Sequence, residues 1–388
     1  MTDASLTPLT ADQAEIQRTA RAFARAELAP KAAELDRESR FDPALIGQLG
    51  ELGFLGMLLP EEYDGLGMDS LTYLLALEEI AAADASAAVL MSVHNSLPTQ
   101  MLLRYGSEEQ RKRWLPPMAR GEVLGAFALS EPDAGSDAAA LRTQAVRDGD
   151  HWVLNGTKAW VTNGNCAGVI LAMARTDTSE SRRGGRGISA FIITPDLPGF
   201  HVSKKENKLG LRSSPTVQLT FDDLRVPADR LLGDEGMGFV YALQSLEHGR
   251  MGIAAQAVGI AQRALDLAIQ YASERKQFGA PIHDFQGIQF KLADMACRVT
   301  AARALLHAAA MMKDRGESPG AYTSMAKLMA SEAAMWVTTQ AIQVFGGYGY
   351  TKDYEVERLF RDAKVTEIYE GTSEIQRIVI ARSLRLPD

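Results

Sequence analysis

Apolar residues recur at helical spacing over 16–28, near the N-terminus. Thr10 and Gln13 just before them form a capping-box pattern, which predicts that a helix begins there. Pro30 is expected to kink or end this helix, because proline lacks the backbone N–H that helical hydrogen bonding needs. The pattern therefore predicts a helical N-terminal region.

Further helices are predicted up to about residue 122. A short one covers 44–54, and a long alanine- and leucine-rich stretch runs from about 70 to 93. The most apolar part of that stretch contains Asp84 and is too short to span a bilayer, so we expect a buried core helix. Ser107 and Gln110 form a second capping-box pattern.

Between about 123 and 232 the pattern changes to short β-branched segments. Strands are predicted at 168–175, 188–195 and 217–221, the last with strict alternation of apolar residues. Asn155-Gly156 is a strong two-residue hairpin signal. The arginine-containing run at 179–187 is expected to be an exposed loop between strands.

From about 239 the chain is helical again, with long periodic segments over 239–274, 285–315 and 320–345 that favour a helix bundle. The order predicts a mainly α protein with a central β domain. We place an N-terminal helical domain at 1–122, the β domain at 123–235 and a C-terminal helical domain at 236–388.

Charge and cysteine content exclude several classes of protein. The formal net charge of −8 argues against a nucleic-acid partner. Cys166 and Cys297 are far apart, and the histidines have no metal-ligand spacing, so we expect neither a disulfide framework nor a metal site. The acidic N-terminus has no apolar signal segment, which favours a cytoplasmic location without a membrane span. No nicotinamide, P-loop or serine-hydrolase motif is present.

Two motifs in the β region are candidates for binding. In FALSEPDAGSD (127–137) a strand ends in a turn where glycine would let backbone N–H groups approach a ligand; an ordinary turn is the alternative. In KAWVTNG (158–164), Trp160 and Thr162 lie two apart on a predicted strand and so share a face. That pair would suit a planar heteroaromatic cofactor; a core tryptophan with a surface threonine is the alternative.

Two further motifs lie where long helices end. SERKQFGAPIHDFQGIQ (273–289) places Arg275 to pair with a phosphate or with the negative end of the helix dipole. The glycines of QVFGGYGY (343–350) are either a helix C-cap or a close approach for a diphosphate.

Glu370 lies between Tyr369 and Gly371, ahead of a predicted final helix in which Ser373 and Gln376 form a capping-box pattern. One interpretation is a solvated acid near the first turn of that helix. The other is a functional carboxylate, because loops on rigid scaffolds often carry function.

LSEPDAGSD, KAWVTNG, ERKQFG, QVFGGYGY and IYEGTSEIQR occur in this order along the chain, which resembles the acyl-CoA dehydrogenase family over nearly its whole length. The resemblance implies FAD as cofactor, a middle β-barrel or sandwich domain, a C-terminal four-helix bundle and a homotetramer. The implied flavin contacts within one subunit are Phe127, Leu129, Ser130, Gly135, Ser136, Trp160, Val161, Thr162, Thr372 and Glu374. Those implied across a subunit contact are Arg275, Phe278, Gln286, Gln343, Gly346 and Gly347.

The resemblance also implies that Glu370 is the catalytic base and that its backbone N–H helps to stabilise the enolate. The implied substrate contacts are Ser136, Glu247, Arg250, Tyr369 and Gly371. Some relatives place the base at the position of Gly249 instead, but glycine cannot be a base.

Glu370 would take a Cα proton from an acyl-CoA thioester while flavin takes the Cβ hydride, with electrons passing to an electron-transfer flavoprotein. The motifs look most like short-chain, butyryl-type members. A branched short-chain dehydrogenase, an acyl-CoA oxidase and a non-enzymatic helical scaffold remain alternatives.

Overall fold

The computed structural model describes residues 6–177 and 184–384. Its N-terminal part is helical, and both predicted capping boxes, at Thr10 and Ser107, are present. The helices are α1 (Ala11–Phe23), α2 (Ala29–Glu38), α3 (Ala44–Glu51), α4 (Ser70–Ala83), α5 (Ala85–Ser96), α6 (Pro98–Tyr105) and α7 (Glu108–Ala119).

Pro30 does not end the first helical stretch. A π-helical segment at Ala24–Leu28 joins α1 to α2, and Pro30 falls in the first turn of α2. The first turn tolerates proline because its N–H groups have no partner within the helix.

The predicted helix over 70–93 is two helices, because Asp84 interrupts it. The Asp84 backbone is extended, and its carboxylate accepts the backbone N–H of Ser86 at 2.7 Å, which caps α5. Both helices are buried almost throughout, as the sequence predicts.

The middle part contains strands, and the three segments predicted from the sequence are all found there. The strands are β1 (Gly125–Ala128), β2 (Gln144–Asp148), β3 (His151–Thr162), β4 (Val169–Arg175), β5 (Ile188–Ile193), β6 (Phe200–Lys205), β7 (Thr216–Pro227) and β8 (Leu231–Leu232). Of the predicted loop at 179–187, residues 179–183 lie outside the described residues.

These strands form a sandwich. The order β6-β7-β3-β2 continues into β4-β5-β8 through a single pair, Gln144 with Arg175, and β1 pairs with β4. Val217, Leu219 and Phe221 of β7 point into the core between the two layers, as their alternation predicts. The other face of β4 and β5 packs on α6, α7 and the long helix that begins at Gly238. Both strands are therefore buried on two sides.

The predicted hairpin at Asn155-Gly156 is wrong. Both residues lie inside β3, where the pairing with β7 shifts register at Gly156. The turn between β2 and β3 is instead at Gly149-Asp150, since Asp148 pairs with His151. A side chain on Gly156 would meet Thr143 Oγ1 at 2.4 Å, so this glycine serves close strand packing.

The C-terminal part is again helical: α8 (Gly238–Glu274), α9 (Gln286–Asp314), α10 (Ala321–Phe345), α11 (Val356–Thr366) and α12 (Ser373–Ser383). A two-stranded hairpin, β9 (Lys276–Gln277) and β10 (Ala280–Pro281), joins α8 to α9. Helix α8 packs on α9, α10 and α11.

The two helical parts share one hydrophobic core, because α8 also packs against α4 and α5. Gly259 of α8 permits this close crossing, since a side chain there would meet the Glu78 carbonyl oxygen at 2.4 Å. None of the helices in the described ranges is long and apolar enough to cross a membrane.

All three parts of the chain meet at the middle of α11. Arg361 makes a two-pronged ion pair with Asp36 of α2, at 2.7 and 2.9 Å. The neighbouring Asp362 accepts the backbone N–H of Leu211, from the β domain, at 2.6 Å. The helix that precedes Glu370 is therefore anchored to both other parts.

Candidate active site

Glu370 lies in the short loop between α11 and α12. Its φ is 51°, and that of Gly371 is 93°, so two consecutive residues have left-handed backbone conformations. Such a conformation is costly for glutamate and persists only when its surroundings hold it. The predicted cap of α12 is wrong by one residue: Thr372, not Ser373, accepts the Ile375 N–H.

Two buried side chains hold this loop through the Gly371 carbonyl oxygen. Lys327 Nζ of α10 donates to it at 2.8 Å, and Gln376 Nε2 of α12 donates at 2.9 Å. Gln376 also donates to the Glu370 carbonyl oxygen at 3.3 Å. Lys327 and Gln376 are fully buried, so the loop is held from two helices out of contact with water.

The Glu370 carboxylate is buried and unpaired. The residue as a whole is partly exposed, but both carboxylate oxygens are inaccessible and lack a hydrogen-bond partner among the described residues. Burial raises the pKa of Glu370 to about 7, against the opposing effects of Lys327 and Arg250. A solvated acid is thus excluded, and the carboxylate can act as a base near neutral pH.

Gly249 of α8 faces Glu370 directly. A side chain at Gly249 would meet Glu370 Oε2 at 1.9 Å and Leu97 at 3.1 Å. Positions 249 and 370, the two places where the resemblance allows the catalytic base, therefore face the same point in the structure. Glycine at 249 leaves the room that the carboxylate occupies.

Other polar groups near Glu370 were not found by sequence reasoning. Tyr73 of α4 and Ser92 of α5 have buried hydroxyl oxygens, and the Ser92 oxygen would lie 2.3 Å from a side chain built on Gly252 of α8. The Tyr369 hydroxyl donates to Gln256, whose amide donates in turn to the Ala85 carbonyl oxygen at 2.7 Å. Tyr73, Ser92 and Gln256 lie in ordinary apolar helices of the sequence, which carry no signal of this kind; Tyr369 was already among the predicted substrate contacts.

The predicted substrate contacts differ in their surroundings. Arg250 is buried beside Glu370, where burial lowers its pKa, and it donates to Ser324 Oγ at 3.3 Å. Tyr369 and Gly371 flank Glu370 in the loop. Glu247 is exposed, as is Glu374 in the first turn of α12.

Trp160 and Thr162 lie at the end of β3. Trp160 is 61% exposed and has φ of 60°, next to a shift in register between Lys158 and Val161. A core tryptophan is therefore excluded. Thr162 is half-buried, and Val161 between them is buried. The exposed indole with a nearby hydroxyl is a wall against which a planar ring can stack.

The turn after β1 is tied to β3 by a buried ion pair that sequence reasoning missed. Lys158 Nζ donates to Glu131 at 2.7 Å and to the Leu129 carbonyl oxygen at 3.2 Å. Glu131 also accepts the N–H groups of Arg142 and Thr143. Both residues stand inside the motifs singled out above, so position within a motif was the available signal.

The segment 127–136, which this ion pair anchors, becomes more exposed toward its end. Phe127 and Ser130 are half-buried and Leu129 is buried, whereas Gly135 and Ser136 are exposed. The Ser130 carbonyl oxygen accepts the Ala159 N–H at 2.9 Å, which fixes the turn beside the Trp160 edge. Exposed glycine and hydroxyl groups beside an exposed indole fit a planar cofactor with polar substituents.

Helix α5 connects this edge to Glu370. Asn163, just after β3, donates to the Leu90 carbonyl oxygen of α5 at 3.4 Å and to the Gly125 carbonyl oxygen at 3.2 Å. Two residues further along α5, Ser92 faces Gly252 of α8, in the helix that also faces Glu370. Helix α5 therefore lies between the Trp160 edge and the part of α8 that faces Glu370.

The remaining predicted cofactor contacts lie at the other end of the bundle and are exposed: Arg275, Phe278, Gln286, Gln343, Gly346 and Gly347. The Arg275 guanidinium lies 5.5 Å from the Tyr348 ring centre, which links the residue after α8 to the segment after α10. At 1.5 Å per residue, Gly249 is about 37 Å from the end of α8 at Glu274. The structure therefore does not bring these residues to Glu370 of the same chain.

Comparison with known proteins gives consistent matches along the chain. Models of the acyl-CoA dehydrogenase N-terminal, middle and C-terminal domains match residues 10–122, 126–224 and 236–385. The mouse mitochondrial short-chain specific acyl-CoA dehydrogenase is 52% identical over 95% of this chain and 89% of its own length.

Two solved structures are similar over almost their whole length. Butyryl-CoA dehydrogenase from Megasphaera elsdenii is 44% identical with a TM-score of 0.95, covering 97% of this chain and 99% of that one. A chain of a structure named for the electron transferring flavoprotein of Acidaminococcus fermentans is 47% identical with a TM-score of 0.96, covering 98% and 99%.

Proposed function

Because the chain belongs to the acyl-CoA dehydrogenase family, whose members are FAD-dependent oxidoreductases, we propose that it converts a short-chain acyl-CoA to the trans-2-enoyl-CoA. In this proposal Glu370 removes the Cα proton. The electrons leave to an electron-transfer flavoprotein.

The observation that carries the proposal is the buried, unpaired carboxylate of Glu370. Leaving a buried acid without a hydrogen bond is unfavourable, so a binding partner from outside the chain is the natural explanation. With a pKa of about 7, close to half of the carboxylate is ionised at neutral pH. Its basicity then suits general-base catalysis, which contributes about 10²–10⁴-fold in rate.

The loop supplies the second requirement, stabilisation of the enolate oxygen that forms as the Cα proton leaves. Donors aimed at that oxygen lower the barrier. We assign one donor to the backbone N–H of Glu370, whose orientation depends on the left-handed loop that Lys327 and Gln376 hold.

FAD supplies the hydride acceptor for Cβ, since no side chain can accept a hydride. Trp160 and Thr162 would hold its ring system, with Ser130, Gly135 and Ser136 beside it. The six exposed residues at the far end of the bundle would reach the FAD of a neighbouring subunit, as in the homotetramer that the resemblance implies. The separation of about 37 Å along α8 favours this arrangement over a single-chain site.

Two comparisons support the finer assignments. The names of the mouse relative and of the Megasphaera elsdenii structure favour a short, butyryl-type acyl group. The similar chain in the structure named for the electron transferring flavoprotein supports that protein as electron acceptor.

Anaerobic mixing of the purified flavoprotein with butyryl-CoA tests the proposal. We expect the visible flavin absorbance to bleach with butyryl-CoA and more slowly with isobutyryl-CoA. Faster bleaching with isobutyryl-CoA would favour a branched-chain enzyme. No bleaching with any short acyl-CoA would contradict the proposal and favour a non-enzymatic scaffold.

The electron acceptor is tested separately, in air. We expect turnover to require an added electron-transfer flavoprotein or artificial acceptor. Stoichiometric hydrogen peroxide without an added acceptor would contradict that expectation and favour an acyl-CoA oxidase.

A further inference from the structure

Lys327 is a fully buried lysine on α10, a helix whose other buried side chains are alanine, valine, phenylalanine, serine and threonine. An ionised ammonium group in such surroundings is unfavourable unless it is paired. Its hydrogen bond in the structure is to the Gly371 carbonyl oxygen, 44 residues away along the chain. A buried lysine that donates to a loop carbonyl indicates that the conformation of that loop is important.

The geometry points to a positioning residue: we propose that Lys327 holds the left-handed Glu370–Gly371 turn and supplies the positive charge that keeps Glu370 ionised during turnover. This inference rests on the proposed function, because it assigns Lys327 a role through Glu370. It adds a residue to which the motifs give no role.

Lys327 and Gln376 share one acceptor but differ in charge. Both donate to the Gly371 carbonyl oxygen, so either one keeps that oxygen paired if the other is removed. Of these two residues, only Lys327 brings a positive charge toward Glu370. Replacing Gln376 changes hydrogen bonding alone, whereas replacing Lys327 also removes charge, so a pH midpoint that moves only in the Lys327 variant reports the electrostatic role.

The charges around the pair agree with this assignment. Burial lowers the pKa of Lys327 to about 8, and Glu370 is the strongest group acting to raise it. Reciprocally, Lys327 is the strongest group acting to lower the pKa of Glu370. Arg250 acts on both members of the pair, Glu367 and Glu374 act on Lys327, and Glu370 in turn acts on Tyr73 and Tyr369.

Arg250 is the other cation beside Glu370, but its contacts differ. Its guanidinium donates to Ser324 on α10. Removing Arg250 would therefore withdraw charge without freeing the Gly371 carbonyl. Lys327 alone among the described cations combines a bond to the loop with charge acting on the carboxylate.

The test uses Lys327→Met in the FAD-loaded protein. Methionine is flexible and apolar, so it fills the site without a buried charge, and Gln376 keeps the Gly371 oxygen paired. We expect the pH midpoint of kcat/KM to move upward by on the order of one unit. At pH 6 the ionised fraction of Glu370 then falls by about tenfold, with KM little changed.

Two further variants separate the roles. Gln376→Leu should lower kcat but leave the pH midpoint in place, because it frees the Glu370 carbonyl oxygen and so loosens the loop without removing charge. Lys291→Met is the matched control: Lys291 also contacts α10, at Gln340, about 20 Å along the helix from Lys327. It should leave both the midpoint and kcat unchanged.

Infrared titration of the Glu370 carboxyl group gives a readout that needs no turnover. Its band is assigned by difference from Glu370→Gln, and its midpoint should rise in Lys327→Met. An unchanged or lower midpoint in folded Lys327→Met overturns the inference. If the wild-type protein fails to bleach with acyl-CoA but the carboxyl midpoint still rises in the variant, the proposed function fails and the coupling of Lys327 to Glu370 stands.

Discussion

The two ends of the C-terminal bundle differ in how complete they are. Around Glu370, side chains from α4, α5, α8, α10 and α12 close over a carboxylate within one chain. At the far end, Arg275 is exposed and Phe278 is 97% exposed, although both lie in a motif quoted for cofactor binding. Under the proposed function, the chain builds its base alone and leaves its distal cofactor contacts for a neighbouring subunit to complete.

Glu370→Gln is the strongest test of the closed end. Glutamine preserves shape but cannot accept the Cα proton, so we expect turnover to fall by about 10²–10⁴-fold or more. FAD content should stay at the wild-type level, because glutamine keeps the shape of the side chain and the backbone hydrogen bonds that hold the loop. Comparable activity in this variant would show that another group is the base.

Gly249→Ala tests how tightly that end is closed. The added methyl group would lie 1.9 Å from Glu370 Oε2, so the carboxylate must move away. Small displacements of reacting groups cost about 10²-fold in rate, and we expect a loss of that order in kcat. Gly47→Ala is the control, since a side chain there meets nothing within 4 Å. A wild-type kcat in Gly249→Ala would show that the carboxylate has room to spare.

The pH dependence of kcat/KM measures the electrostatics of the closed end. With the pKa of Glu370 raised to about 7, kcat/KM should fall about tenfold per unit below pH 7 and level off above it. Folding favours the neutral form here, so its contribution to stability is full below the ordinary pKa near 4.5 and is lost as the pH rises through 7. An activity midpoint near 4.5 would contradict a buried base.

Arg275→Ala tests the open end. Loss of a charge-assisted contact typically costs about 1.5 kcal/mol or more, so FAD should bind about tenfold more weakly. The pH midpoint of the remaining FAD-loaded enzyme should be unchanged, because Glu370 is distant. Arg298→Ala, which removes an arginine stacked on Trp336, is the control. Full FAD retention in Arg275→Ala would remove the distal end from the cofactor site.

Local signals predicted much of the fold. The alternation of Val217, Leu219 and Phe221 and the capping boxes at Thr10 and Ser107 depend on neighbours in sequence, and the structure confirms them. Asn155-Gly156 misled because the glycine is required by its close contact with Thr143, the residue just before the adjoining strand β2, and no local rule contains that contact.

The candidate site was predictable only in part. Glu370 stood out through its motif, but Lys327 and Gln376 meet it through backbone carbonyls rather than through a recognisable pattern. Lys327 is separated from Gly371 by 44 positions, and its sequence surroundings resemble any buried helix. Such partners emerge only when helices are placed in space.

The junction of Asp36, Leu211 and α11 has a consequence for how the molecule melts. The shared core and this junction hold all three parts together. We therefore expect that unfolding one part would expose apolar surface of the other two. Heating should then give one calorimetric transition rather than three. The Glu370–Gly371 turn lies between α11 and α12, so we expect loss of the proposed activity to occur at the same temperature as global unfolding.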